Sequence, residues 1–155
     1  MTLELGQKVP DVEFTDAAGA GVRLSSFLGS KTVVLYFYPK DDSPGCTVEA
    51  CAFRDSYEDF TQAGAIVVGV SSDSADDHEA FKAKYRLPFV LLTDKDGSAA
   101  KGLGVKRGAL GLLPGRVTFV IDRAGTLRSS FDSAIRMKDH ANTALTLVKS
   151  LETRP

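Results

Sequence analysis

Residues 33–38, Val-Val-Leu-Tyr-Phe-Tyr, form an unbroken apolar run that is mostly β-branched or aromatic. A run of this length and make-up reads as a buried strand. It is followed by Pro39, Lys40, Asp41, Asp42, Ser43, Pro44 and Gly45, a loop punctuated by proline and glycine, and then by a segment of helical periodicity beginning near Cys46. The chain is thereby committed to a strand–loop–helix unit with a cysteine in the first helical turn. Unpaired backbone N–H groups and the helix dipole favour an anion there. A cysteine so placed tends to ionise more readily, and the thiolate is the nucleophilic form.

The remaining punctuation predicts how this unit is extended. Residues 12–15 and 22–24 flank a Gly-rich turn and read as an N-terminal β-hairpin. Ser25 or Ser26 is placed to cap a single helical turn ending at Gly29. One helix is expected from about 46 to 62, with Ala50, Phe53, Tyr57 and Phe60 on its core face and Gly64 as its stop. A second continuous strand follows at 65–71, a helix capped by Ser74 at 75–85, a strand at 89–92 opened by Pro88, and a short helical stretch ending near Gly102. Residues 102–116 are glycine-rich without a period and read as a functional loop. Strands at 117–121 and 126–131 form a second hairpin, and Asp139 is placed to cap a last helix to about 152, with Ala144, Leu147 and Leu151 inward. The order β-α-β-α-β, then hairpin, then helix predicts an α/β fold with a mixed sheet flanked by helices. Without linkers, repeats or low-complexity tracts, residues 1–155 are expected to form one domain.

Composition narrows the function classes. Nineteen basic residues against twenty acidic ones give no excess charge to attract nucleic acid or an anionic membrane surface. No apolar run approaches the roughly 20 residues needed to span a bilayer, and residues 1–5 do not resemble a signal peptide. Only two cysteines are present, Cys46 and Cys51, too few for a disulfide scaffold; in a cytoplasmic protein such a pair points to redox chemistry. The pair has the C-x₄-C spacing that two zinc ligands can have, but with no second pair it is weak evidence for a zinc site. His78 and His140 have no metal-ligand spacing and are expected at the surface without a role.

The motif Pro39-x-x-x-Ser43-x-x-Cys46 resembles the Pro-x-x-x-Thr/Ser-x-x-Cys signature of the peroxiredoxins. The longer run from Phe37 to Asp42 and from Glu49 to Asp55 resembles the Q-type branch, the bacterioferritin-comigratory proteins. Residues 69–73 and 111–122 fit as well. This resemblance implies a thioredoxin-like fold and reduction of hydrogen peroxide and organic hydroperoxides, an antioxidant activity needing no metal or organic cofactor. It implies that Cys46 is the peroxidatic cysteine, passing through a sulfenic acid. It further implies that the Ser43 hydroxyl contacts sulfur and peroxide, that Pro39 shields the sulfur, and that Arg116 keeps it ionised and polarises the peroxide. Glu49 would then orient Arg116. Cys51 would resolve the sulfenic acid as an intramolecular disulfide, reduced by thioredoxin or a similar dithiol, in a protein that is a cytoplasmic monomer. Where the family more often has threonine this chain has Ser43, which keeps the hydroxyl and loses the methyl that restricts its rotamer. Two other readings stand beside this one. A disulfide oxidoreductase would share the fold, but Cys-x-x-Cys is absent; a peroxide sensor or holdase would oxidise once rather than turn over.

Helix geometry adds an expectation of its own. Two residues five apart on a regular helix lie ~7.5 Å apart along the axis and ~140° around it, hence ~8.6 Å between Cα atoms. A disulfide tolerates about 7 Å at most. Cys46 and Cys51 therefore cannot join while their helix is intact.

Overall fold

The computed structural model describes residues 3–105, 115–133 and 136–152. Seven strands form one mixed sheet: β1 (Glu13–Thr15), β2 (Gly21–Arg23), β3 (Thr32–Phe37), β4 (Ala65–Ser71), β5 (Val90–Thr93), β6 (Val117–Ile121) and β7 (Leu127–Asp132), in the order β2-β1-β5-β4-β3-β6-β7. β3, β4 and β5 run parallel; β6 pairs antiparallel with β3, and β7 with β6. The N-terminal hairpin β1–β2 joins through an antiparallel bridge from Thr15 to Thr93. The helices are α1 (Pro44–Asp55), α2 (Tyr57–Gln62), α3 (Ala75–Tyr85), α4 (Ser98–Gly102) and α5 (Met137–Glu152).

β3 is central, and all six of its residues are buried. The uninterrupted apolar run has a physical reason: a strand covered on both faces favours apolar side chains on both, and in β3 only Thr32, at its start, departs from this. Alternate residues serve two cores. Val34, Tyr36 and Tyr38 pack with Ala50, Phe53, Phe60 and Phe81 and with Ala141, Ala144 and Val148. Val33, Leu35 and Phe37 pack on the opposite face with Phe14, Leu24, Ala99 and Leu103. α1 is seated on the first face by Phe53, whose ring stacks on Tyr36 at 4.4 Å and 17°. Gly69 makes room for that tyrosine, since a Cβ there would lie 2.9 Å from its Cζ.

Several expected boundaries move. The single helix expected over 46–62 starts two residues earlier, with Pro44 at N1, and divides at Ser56, whose backbone (φ −101°, ψ 5°) leaves helical values. Hydrogen bonds from Ser56 N to Ala52 O and from Phe60 N to Ser56 O still cross the division. Gly64 ends the second segment in the left-handed region, at φ 77°. The turn at Leu24–Phe27 is 3-10 and has no side-chain cap: the Ser25 hydroxyl bonds Asp11, and that of Ser26 bonds the Arg23 carbonyl. The strand expected at 89–92 is shifted by one, to Val90–Thr93. The last helix begins at Met137, so Asp139 lies in its first turn rather than capping it. Ser74 does cap α3, accepting from Asp77 N at 3.2 Å. Of the glycine-rich stretch 102–116, residues 106–114 lie outside the described residues, as does the Gly111–Pro114 part of the family-like motif.

Candidate active site

The loop between β3 and α1 is held by the elements around it. Tyr38 N donates to Val70 O, and its hydroxyl donates to Asp41 Oδ1 at 2.5 Å. Asp41 is buried; its Oδ2 lies 2.6 Å from His78 Nδ1, and its N–H donates to Asp73 Oδ2. His78 Nε2 faces the Leu92 carbonyl at 3.0 Å and so carries a proton. Asp42 adopts φ 60°, a left-handed conformation open to aspartate because its side chain can be tied locally. Here Lys84 and Tyr85 of α3 tie it, at 2.9 and 2.8 Å. The Ser43 hydroxyl donates to Lys40 O at 2.8 Å, and its carbonyl accepts the first helical bond, from Thr47 N.

Cys46 follows in the first turn of α1 and is 1% exposed. Arg116, just before β6, donates from Nη2 to Cys46 Sγ at 3.4 Å and from Nη1 to Glu49 Oε1 at 2.6 Å. Gly45 permits that approach: a Cβ there would sit 3.1 Å from Arg116 Nη2 and 2.6 Å from Met137 Cε. Glu49 is fully buried. Burial, the largest influence, pushes its carboxyl up to about 8, against the pull of the Arg116 charge and hydrogen bond. Burial opposes the Arg116 charge too, but the Glu49 carboxylate and the Cys46 sulfur outweigh it and raise its pKa.

Behind Glu49 lies His140, also fully buried, contrary to the expected surface position. Its Nδ1 is 2.7 Å from Thr118 Oγ1 and 3.4 Å from Glu49 Oε2, and its Nε2 is 2.9 Å from Ser133 O. The Phe131 ring stands edge-on to it at 4.7 Å. Burial holds its pKa below the ordinary histidine value, aided by Arg116. His78 is likewise buried rather than exposed. Helical spacing carried the signal for both. His140 falls in line with Ala144, Leu147 and Leu151, and His78 with Phe81, on the stripes that face the core.

The structure thus brings Cys46, Arg116 and Glu49 into contact. It places the Ser43 hydroxyl on the loop backbone, with no hydrogen bond to the sulfur among the described residues. Pro39 is half-buried in the same loop. Cys51 lies on the same unbroken helix, half-buried, beside a groove shared with Lys138 and Asn142 of α5; both thiols are free. Among the described residues no group of three or more histidines, cysteines or carboxylates is placed to hold a metal ion, and no helix is long and apolar enough to cross a membrane.

A thioredoxin-type sheet that presents a buried cysteine at a helix start, with an arginine on its sulfur, defines the class. The AhpC/TSA family model matches residues 5–130. The chain is 46% identical over 147 residues to the chloroplastic peroxiredoxin Q of Sedum lineare, covering 95% of this chain and 78% of that protein. It is 43% identical to peroxiredoxin Bcp of Bacillus subtilis, covering 99% of this chain and all of that one. The crystal structure of peroxidoxin BcpB from Mycobacterium tuberculosis superposes with a TM-score of 0.89 at 39% identity, over 99% of both chains. Bacterioferritin comigratory protein of Xanthomonas campestris, whose structures were solved in connection with its alkyl peroxide reduction activity, gives 0.83 at 30% identity, over 97% of this chain and 98% of that one. The chain belongs to the AhpC/TSA family, in its peroxiredoxin Q branch. It is a thiol-dependent peroxidase, an antioxidant oxidoreductase.

Proposed function

We propose that Cys46 is the peroxidatic residue and Cys51 the resolving one, and that residues 1–155 act as a single catalytic domain. The observation that carries this is the Arg116 Nη2 contact with Cys46 Sγ. A buried thiolate needs a fixed cation, and the same guanidinium can polarise the peroxide and steady the leaving oxygen. The Cys46 thiolate attacks one peroxide oxygen. An S–O bond forms, the O–O bond breaks, sulfur is oxidised by two electrons, and the departing alkoxide or hydroxide takes up one proton. Ser43, whose hydroxyl hydrogen is engaged by Lys40 O, offers its oxygen lone pairs to the peroxide O–H. Glu49 orients Arg116, and Pro39 limits water at the sulfur.

The groove lined by Pro44, Gly45, Val48 and Met137, together with Arg136, Lys138 and Asp139, adjoins Cys46 in sequence through Gly45, and its apolar members suit the carbon chain of an organic hydroperoxide. Cys51 then attacks the sulfenic acid, releasing water and forming a disulfide. α1 must unwind for this, since it is intact through both cysteines. Thioredoxin or a related dithiol restores the thiols, and the protein works as a monomer in the cytoplasm, a reducing compartment that suits two free cysteines. The test is peroxide consumption with a thioredoxin system. Many equivalents are expected for the wild type, none for Cys46→Ser, and loss of thioredoxin-dependent turnover for Cys51→Ser. Near-wild-type turnover by either variant removes that residue from its role.

A further inference from the structure

The cluster behind Cys46 contains a mismatch. Glu49 Oε2 is buried and has no hydrogen-bond partner among the described residues, although Glu49 Oε1 is well bonded to Arg116. Such an orphan oxygen costs about 1–3 kcal/mol, more if charged. Within ion-pair distance, 3.4 Å away, is His140 Nδ1. Nε2 of that ring faces a carbonyl and so keeps its own proton, which leaves Nδ1 as an acceptor in the neutral ring. The ring can be satisfied by the Thr118 hydroxyl, 2.7 Å from Nδ1, whereas Oε2 is left unmatched; one more proton between Oε2 and Nδ1 would satisfy the carboxylate.

Charge counting says when that proton is present. With Cys46 as a thiol, Arg116 positive, Glu49 negative and His140 neutral, the buried cluster is neutral. Ionising Cys46 alone would leave it with a net negative charge shut away from water, which is costly. We propose that Glu49 and His140 share one proton, between Oε2 and Nδ1, whenever Cys46 is a thiolate. His140 is then a positioning residue: it acts through Glu49, leaving the Arg116 charge to the sulfur. This rests on the peroxidatic reading of Cys46. The charged and titratable groups that face the pair are Arg116 and the Cys46 sulfur, the Tyr36 hydroxyl of β3, Asp132 of β7, and Asp139 on α5 itself. The Thr118 hydroxyl can donate or accept and so follows the proton. The rise at Glu49 and the fall at His140 agree in direction with a proton held mainly on the carboxyl side. When the thiolate becomes a neutral sulfenic acid the pair no longer needs the proton, and one proton is what the leaving alkoxide requires. Taken together, thiolate, hydroperoxide and pair-bound proton give sulfenic acid and alcohol with nothing left over.

The test uses nitrogen NMR of the two histidine rings in the reduced protein at about pH 9, above the Glu49 value of about 8, comparing wild type with Cys46→Ser. Thiolate absorbance in the same wild-type sample checks the underlying reading independently. The His140 Nδ1 signal is expected to move between the two proteins, from a proton-bridged position towards that of a bare acceptor. His78, remote from the sulfur in the hydrogen-bond network, serves as the unmoved reference. If His140 does not move while the thiolate is present, or if both rings move equally, the shared proton is refuted. A second measurement uses the protonated-acid mimic. Glu49→Gln can accept from Arg116 and donate to Nδ1, whereas Glu49→Ala can do neither and is expected to react with peroxide about 10²-fold more slowly than wild type. Recovery of most of that loss by the Gln variant supports the proposal. Equal rates for the two variants overturn it.

Discussion

Two buried histidines each face a buried carboxylate in this protein, and the two pairs are finished differently. At His78 every polar atom is matched: Asp41 takes Tyr38 on one oxygen and His78 on the other, and the far ring nitrogen meets Leu92 O. At His140 the ring is matched to Thr118 and Ser133, but Glu49 keeps an orphan oxygen, and Arg116 Nε and the Tyr36 hydroxyl are orphans as well. A closed network holds a loop in one shape, whereas an open one has capacity left for a proton or a substrate. Buried polar groups are ordinarily satisfied, so the place where they are not is where the chemistry is expected.

The comparison can be broken most severely at the open end. Arg116→Met removes the charged donor at the sulfur, and the second-order rate with peroxide is expected to fall by about 10²–10³. The pH profile of Cys46 alkylation should also move upward; an unmoved profile would separate Arg116 from the sulfur. Ser43 comes next. Ser43→Thr should stay close to wild type and Ser43→Val should be strongly impaired, and equal rates would reduce Ser43 to a turn residue.

At the closed end the expected effect is on stability. His78→Leu leaves Asp41 Oδ2 buried without its partner and should lower the unfolding free energy by about 1–3 kcal/mol. Peroxidase rate per folded molecule should stay within a few-fold of wild type. Denaturant melts alongside initial rates check this, and a large rate loss with unchanged stability would reverse the assignment of roles. The smallest effect is a slope. The folded-state value of Glu49, about 8, lies above its ordinary 4.5, so the native state retains a proton the unfolded chain has released. Its contribution to stability is full below about 4.5 and is lost as pH rises through about 8. Wild type should therefore lose stability relative to Glu49→Gln over that window. Parallel curves would mean that Glu49 ionises as readily in the folded protein as in the unfolded one.

Much of this was legible in the sequence. The run 33–38 reads as an interior strand, and the loop before Cys46 reads as leading into a helix, which in the structure already begins at Pro44. The Arg116–Glu49 contact spans 67 positions, and no local pattern joins them, so only the family resemblance did. The two histidines lack metal-ligand spacing, and that absence says nothing of burial. Their place on apolar helical stripes is what signals burial. Ser56 could not be foreseen either, since the apolar period of Ala50, Phe53, Tyr57 and Phe60 runs through it unchanged; the division is a matter of backbone angles, not of side-chain pattern.

That division sets the size of the segment that can open. α1 is bounded by Pro44, which has no N–H to extend it, and by Ser56, where the backbone leaves helical values. Both cysteines lie inside those bounds, while Phe60, wholly buried, anchors the next helix beyond them. If Cys51 resolves Cys46 as proposed, α1 melts once per catalytic cycle, and such limits make the melting unit about three turns long. The free energy of that opening is then set by twelve residues and is separable from the stability of the sheet beneath. Cycling speed can then be tuned by helix propensity at positions of α1 outside the core, at half-buried Thr47 for example, without loosening the sheet.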